Sequence, residues 1–328
     1  MAEPASSMLS LIGFDLPPIM TNAEGRTRTV GIEIEFAGLT AEGAAKALSS
    51  AFGGGVNQRD PHAFMVKNSR LGDIAVELDM RYVHPDGKNN TLLDNMGAKL
   101  ASWVGSAIRH VVPCELVTAP VPIDRLHEVD RALGVLREAG AKGTQDGALY
   151  AFGLHFNPEV PSLDAETIVS ILKAFVLLNP WLRRQVAPDT TRFLLGFADP
   201  FPPDYVRRVV APDYWPDISQ FIEDYLDANP TRNRDLDVLP LLVYLDEERV
   251  RAKLPNEKIN KRPTFHYRLP DARISDPGWS IAPDWNRWVA VERVAADPER
   301  LDSLGRAYLA FEGEAKSWAE VAERIAFA

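Results

Sequence analysis

The segment TVGIEIEFAG at 29–38 alternates strictly, with Ile32, Ile34 and Phe36 on one side and Glu33 and Glu35 on the other. Side chains along a β-strand alternate between faces with a period of two, so the pattern predicts a half-buried strand with acids on its second face. The pattern recurs. In DIAVELDMRYVH, Val76, Leu78 and Met80 oppose Glu77, Asp79 and Arg81. PCELVTAP reads as a strand carrying Glu115, YAFGLHFNPEV carries His155, and RPTFHYRLP places His266 and Arg268 on one face.

Helical patterns separate these strands. TAEGAAKALSSAF is opened by Thr40 and stopped by Gly53-Gly54-Gly55, and a second helix is expected from Thr91 to about Val111. A third follows Asp124 and stops at Gly140, and an apolar one runs from Asp164 to about Asn179. SQFIEDYLDAN and RDLDVLPLLVYLDEERV are helical in pattern, and Pro240 should kink the second or begin a new helix. Asp297-Pro298 opens the helical end of the chain. Residues 1–27 lack a sustained period and read as a flexible lead-in, 28–328 as a single catalytic domain, and the proline- and aromatic-rich stretch 180–216 as a lobe or lid within it.

Composition narrows the function. The chain has 328 residues, long enough for a full core. Its 36 Lys and Arg against 46 Asp and Glu give a net charge of −10, which argues against a nucleic-acid partner while leaving room for one local basic pocket. A single cysteine, Cys114, excludes an internal disulfide framework and cysteine-rich metal sites. The N-terminus lacks the basic region of a signal peptide. The most apolar segment, TIVSILKAFVLLNPWL, contains Lys173 and meets Pro180 before a membrane could be crossed. These features predict a cytoplasmic protein with no membrane partner; oligomeric state is left open.

If the strands form one antiparallel sheet with helices on its apolar side, the other face gathers carboxylates, imidazoles and a guanidinium. Carboxylates so close raise one another's pKa values unless a cation compensates, and a divalent metal is the natural choice. Oxygen ligands suit Mg²⁺ or Mn²⁺, while one or two histidines tilt the site toward Mn²⁺ or admit zinc. Taken singly, an E-x-E strand is a solvated sheet face and His155 a hydrogen-bonded structural histidine as readily as a ligand. Coincidence across strands favours a site.

The residues GIEIEF at 31–36, ELVTAP at 115–120, GLHFNPEV at 153–160, NPTRNRDLDVLP at 229–240 and KRPTFHYRLP at 261–270 resemble, in order, the amidoligase family of the carboxylate-amine ligase superfamily, which includes glutamine synthetase and glutamate-cysteine ligase. The resemblance implies an α+β fold, a mainly antiparallel curved sheet backed by helices like the catalytic domain of glutamine synthetase. It implies Glu33, Glu35, Glu115 and His155 as metal ligands. The last strand of the family commonly reads E-x-R; here His266 stands where that acid would be and would complete the metal site, with Arg268 matching the arginine.

The implied activity is ATP-dependent joining of a carboxylate to an amine, on amino-acid or peptide substrates, through an acyl phosphate. Arg268 would stabilise the transferring phosphoryl group, with Arg232, Arg234, Lys261 and Arg262 as further cations for ATP. Two rivals stay open: a metal-dependent hydrolase built on the same cluster, and a catalytically inactive binding protein, which the His266 departure supports. Cys114 reads as a small strand residue more than as a nucleophile.

Overall fold

The computed structural model describes residues 13–79, 113–147, 150–186 and 198–328. Met80, Arg81 and the helix expected over 91–111 lie outside the described residues. Among the described residues nine strands build one open antiparallel sheet: β1 (Thr29–Phe36), β2 (Gly55–Asp60), β3 (Ala63–Ser69), β4 (Gly72–Leu78), β5 (Cys114–Thr118), β6 (Val121–Pro122), β7 (Leu154–Pro158), β8 (Leu236–Asp237) and β9 (His266–Tyr267). The order across the sheet is β2-β3-β4-β5-β1-β7-β9-β8, with β6 pairing β1 beside that path.

Among the described residues ten α-helices accompany the sheet: α1 (Ala41–Phe52), α2 (Leu126–Glu138), α3 (Ala165–Val186), α4 (Pro203–Val209), α5 (Ile218–Ala228), α6 (Leu239–Leu245), α7 (Glu247–Lys253), α8 (Ala282–Ala295), α9 (Pro298–Ala310) and α10 (Ala315–Ala326). The fold is α+β, as the resemblance implies.

The alternation of β1 decides which way the sheet faces. Val30, Ile32, Ile34 and Phe36 are wholly buried. Register carries their row across the sheet: Ile34 faces Leu116 and Leu154, Leu116 faces Val76, and Val76 faces Phe64. α1 covers β3 and β4 and packs on α2, while α3 and α8 lie together. Their aromatic rings meet β7 and β9: Phe156 approaches Trp285 at 5.9 Å, and Tyr267 approaches Phe175 at 5.8 Å and Trp288 at 5.7 Å.

Local signals start and stop these elements. The Thr40 hydroxyl accepts from the Gly43 amide at 3.0 Å, and Gly53 and Gly54, both at positive φ, turn the chain from α1 into β2. Asp164 caps α3 through the Thr167 amide at 2.7 Å, and Asp297 caps α9 through the Arg300 amide at 3.0 Å. Pro240 lies in the first turn of a new helix, α6, one of the two outcomes expected of it, and β8 precedes it where the pattern read as helix.

Pro180 does not end the long apolar helix. α3 continues through it to Val186. A proline inside a helix loses one hydrogen bond and clashes with the preceding turn, at a cost of about 3 kcal/mol. The turns beyond it bury Trp181, Leu182 and Val186, which opposes that cost. By length and composition α3 could cross a membrane, but 72% of its apolar window is buried inside the protein, where it serves as the central helix.

Where residues 13–27 are described they are tied to α8. The Asp15 amide donates to Asn286 Oδ1 at 2.8 Å, Trp285 Nε1 donates to the Asp15 carbonyl at 2.9 Å, and Arg293 pairs with the Asp15 carboxylate at 2.8 Å. At the start of β1, Arg28 makes a two-pronged, fully buried ion pair with Glu292 of α8, each contact at 2.7 Å.

Candidate metal centre

The polar face of β1 meets β7 in a fixed register: Glu33 faces His155, and Gly31 faces Asn157. β9 follows, with Tyr267 opposite Phe156, and β8 sets Asp237 opposite His266. Three side chains converge. His155 Nδ1 lies 3.3 Å from Glu33 Oε2, His266 Nε2 lies 3.4 Å from His155 Nδ1, and His266 Nε2 lies 3.7 Å from Glu33 Oε2. Among the described residues these three form the group of ionisable side chains able to hold a metal, their donor atoms all within 4.8 Å of one another.

The surroundings hold each group in place. Asn157 Nδ2 donates to Glu33 Oε1 at 2.9 Å, and Arg262 donates to Asn157 Oδ1 at 2.5 Å while lying 3.5 Å from Glu33 Oε1. Asp237, with no exposure, has Oδ2 at 3.4 Å from His266 Nδ1 and at 3.4 Å from Arg232 Nε. Its Oδ1 accepts the Leu239 amide at 3.0 Å. Arg268 Nη1 donates to the Arg232 carbonyl at 2.6 Å, and its charge is felt by both His155 and Asp237.

Burial and charge set the protonation states. Burial pushes the Glu33 carboxyl up, but the His266 charge and hydrogen bonds from both imidazoles outweigh it, holding Glu33 well below its ordinary value. Burial lowers His155 well below the usual imidazole range, with His266 adding to the effect against the pull of Glu33. Asp237 is raised by burial and lowered further by the His266 hydrogen bond, and it ends below its ordinary value. At neutral pH the cluster therefore offers an ionised carboxylate and a neutral His155 imidazole, the forms a divalent cation requires.

The other expected residues divide. Glu35 and Glu115 stand opposite each other one strand period from Glu33, and Glu115 also faces Glu77, so three carboxylates form a row across β1, β5 and β4. Glu35 is buried, its Oε2 accepting the Gly153 amide at 2.9 Å. That row shares the face but is not part of the three-residue cluster.

Of the cations, Arg262 lies beside Glu33, and Arg232 and Arg268 reach the cluster's border. Arg234 is drawn aside by the Asn229 side chain at 3.0 Å and the Pro200 carbonyl at 2.8 Å, and Lys261 pairs with Glu247 of α7 at 2.8 Å on the surface. Cys114 is buried against the Leu39 carbonyl at 3.4 Å, and burial pushes its thiol up to about 11, away from the thiolate a nucleophile needs.

Sequence reasoning passed over Asn157 and Asp237. Asn157 shares strand parity with His155, a signal available in GLHFNPEV. Asp237 was hidden because RDLDVLPLL reads as helix on both sides of Pro240, whereas the residues before it form the two-residue strand β8.

A family model described as "Putative amidoligase enzyme" matches residues 26–290. No curated protein and no solved structure matches the chain.

Proposed function

The chain belongs to the amidoligase family, and from that premise we propose that it is an ATP-dependent carboxylate-amine ligase acting on a small amino-acid or peptide substrate through an acyl phosphate. The observation that carries the reading is the convergence of Glu33, His155 and His266 beside Arg262 and Arg268 on one face of the sheet of a family member. Joining a carboxylate to an amine in water is uphill. Transfer of the ATP γ-phosphoryl group to the carboxylate supplies the drive, and the amine then displaces phosphate.

Each residue has a task in this scheme. Glu33, His155 and His266 would hold a divalent cation, which when bound neutralises phosphate oxygens and the charge that develops during transfer. Arg268 clamps the transferring phosphoryl group, with Arg232 and Arg262 beside it as planar donors to the polyphosphate. Asn157 keeps Arg262 and Glu33 in fixed relation. Arg234 and Lys261, bonded elsewhere, would have to leave their partners to touch nucleotide.

The test is ADP release from the full-length chain with Mg²⁺ or Mn²⁺, screened over amino acids and small peptides. ADP formation that depends on both a carboxylate and an amine supports the ligase, and its loss in Glu33→Gln supports the cluster. A second reading is favoured by the donor set itself: two histidines and one glutamate also form the ligands of hydrolytic zinc sites. Hydrolysis of an amide without nucleotide would select that reading and sink the first.

A further inference from the structure

The identity of the metal, and what fixes it, follows from atoms around His266. Three donor atoms separated by 3.3, 3.4 and 3.7 Å have a common point roughly 2 Å from each, the metal–ligand distance of a zinc-type site. Two of those donors are imidazole nitrogens. Mg²⁺ prefers an octahedron of oxygens and parts reluctantly with its water, whereas imidazole suits the later first-row cations. His266 must present Nε2 as a lone pair for this set to work.

Asp237 makes it do so. An ionised carboxylate only accepts, so the Asp237 Oδ2 contact keeps a proton on His266 Nδ1, and the Nε2 proton that faces Glu33 is the one a bound cation would displace. The carboxylate is itself pinned by the Leu239 amide and by Arg232.

We propose that Asp237 is a positioning residue that fixes the tautomer and direction of His266, and that the resulting Glu33–His155–His266 centre selects a first-row transition cation over Mg²⁺. The proposal concerns the same pocket as the ligase reading but stands without it, since a hydrolase would need the same ion.

The experiment is calorimetric titration of the full-length, chelator-stripped protein with Zn²⁺, Mn²⁺, Co²⁺ and Mg²⁺ in the absence of nucleotide, with visible absorption of the Co²⁺ form as a second readout. The expected result is one equivalent of each transition cation bound at least about 100-fold more tightly than Mg²⁺, and loss of that binding in His155→Ala and His266→Ala. Asp237→Ala should weaken binding by about 10- to 100-fold and alter the Co²⁺ spectrum. Asp237→Asn, which keeps an acceptor but not the charge, should lose less.

Mg²⁺ binding within tenfold of Mn²⁺ overturns the selectivity, and wild-type affinity and spectrum in Asp237→Ala overturn the positioning role. Should Asp237→Ala fail to fold, Asp237→Asn and the wild-type series decide both points. Metal binding as described, with no amine-dependent ADP release, would remove the ligase reading alone.

Discussion

Glu33 is the residue through which the cluster is joined. Its two oxygens meet Asn157, His155, Arg262 and His266. Replacing it with glutamine keeps the volume but removes the charge and half the acceptor capacity. Glu33→Gln should cut metal affinity by at least about 100-fold while leaving the circular dichroism spectrum unchanged, a contrast that separates ligand loss from unfolding. Cys114 gives the opposite expectation: Cys114→Ala should leave any ADP release at the wild-type rate. The Arg28–Glu292 pair is structural. Removing one partner of a buried ion pair leaves an uncompensated charge and costs about 3–5 kcal/mol, so Glu292→Ala should lower stability by that amount in urea titration.

Elements differ in how far the sequence declares them. β1 is legible because one of its faces is wholly apolar and the other carries Glu33 and Glu35. β2 and β3 are not: Asn57, Gln58, Arg59 and Asp60 are all exposed, and Ala63 to Val66 are all buried, so neither strand alternates between apolar and polar. α3 was legible at its capped start and obscure at its end, since local proline chemistry says stop while the apolar contacts of Trp181 and Leu182 say continue. The site follows the same division. His155 and His266 declare themselves on strand-like segments, whereas Asp237 sits on a two-residue strand that only the register with β9 creates. At the α1–β2 turn, Gly54 has φ of +89° and its added Cβ would meet the Lys67 carbonyl. Gly54→Ala should therefore destabilise by about 1–3 kcal/mol, read as a lower melting temperature.

Stability of the whole molecule carries a pH signature from Asp284, buried at the first turn of α8. Burial pushes its carboxyl up to about 6, despite the opposing charge of Arg287. Unfolded, the group titrates near about 3.9. Because the folded chain holds this proton more tightly, the contribution is most favourable below the unfolded value and is lost as pH rises through the folded one. A difference of about two units corresponds to about 3 kcal/mol. Asp284→Asn should raise stability by up to that amount at pH 8 and change it little at pH 4, seen as converging melting temperatures in acid.

The Arg28–Glu292 pair joins partners 264 positions apart. During synthesis at about 5–20 residues per second, the guanidinium beside the first strand waits on the order of 10–50 s for its carboxylate to leave the ribosome. Until then the nascent chain keeps that charge without its carboxylate, and a message cut short before codon 292 yields a polypeptide whose Arg28 has lost its buried counter-charge.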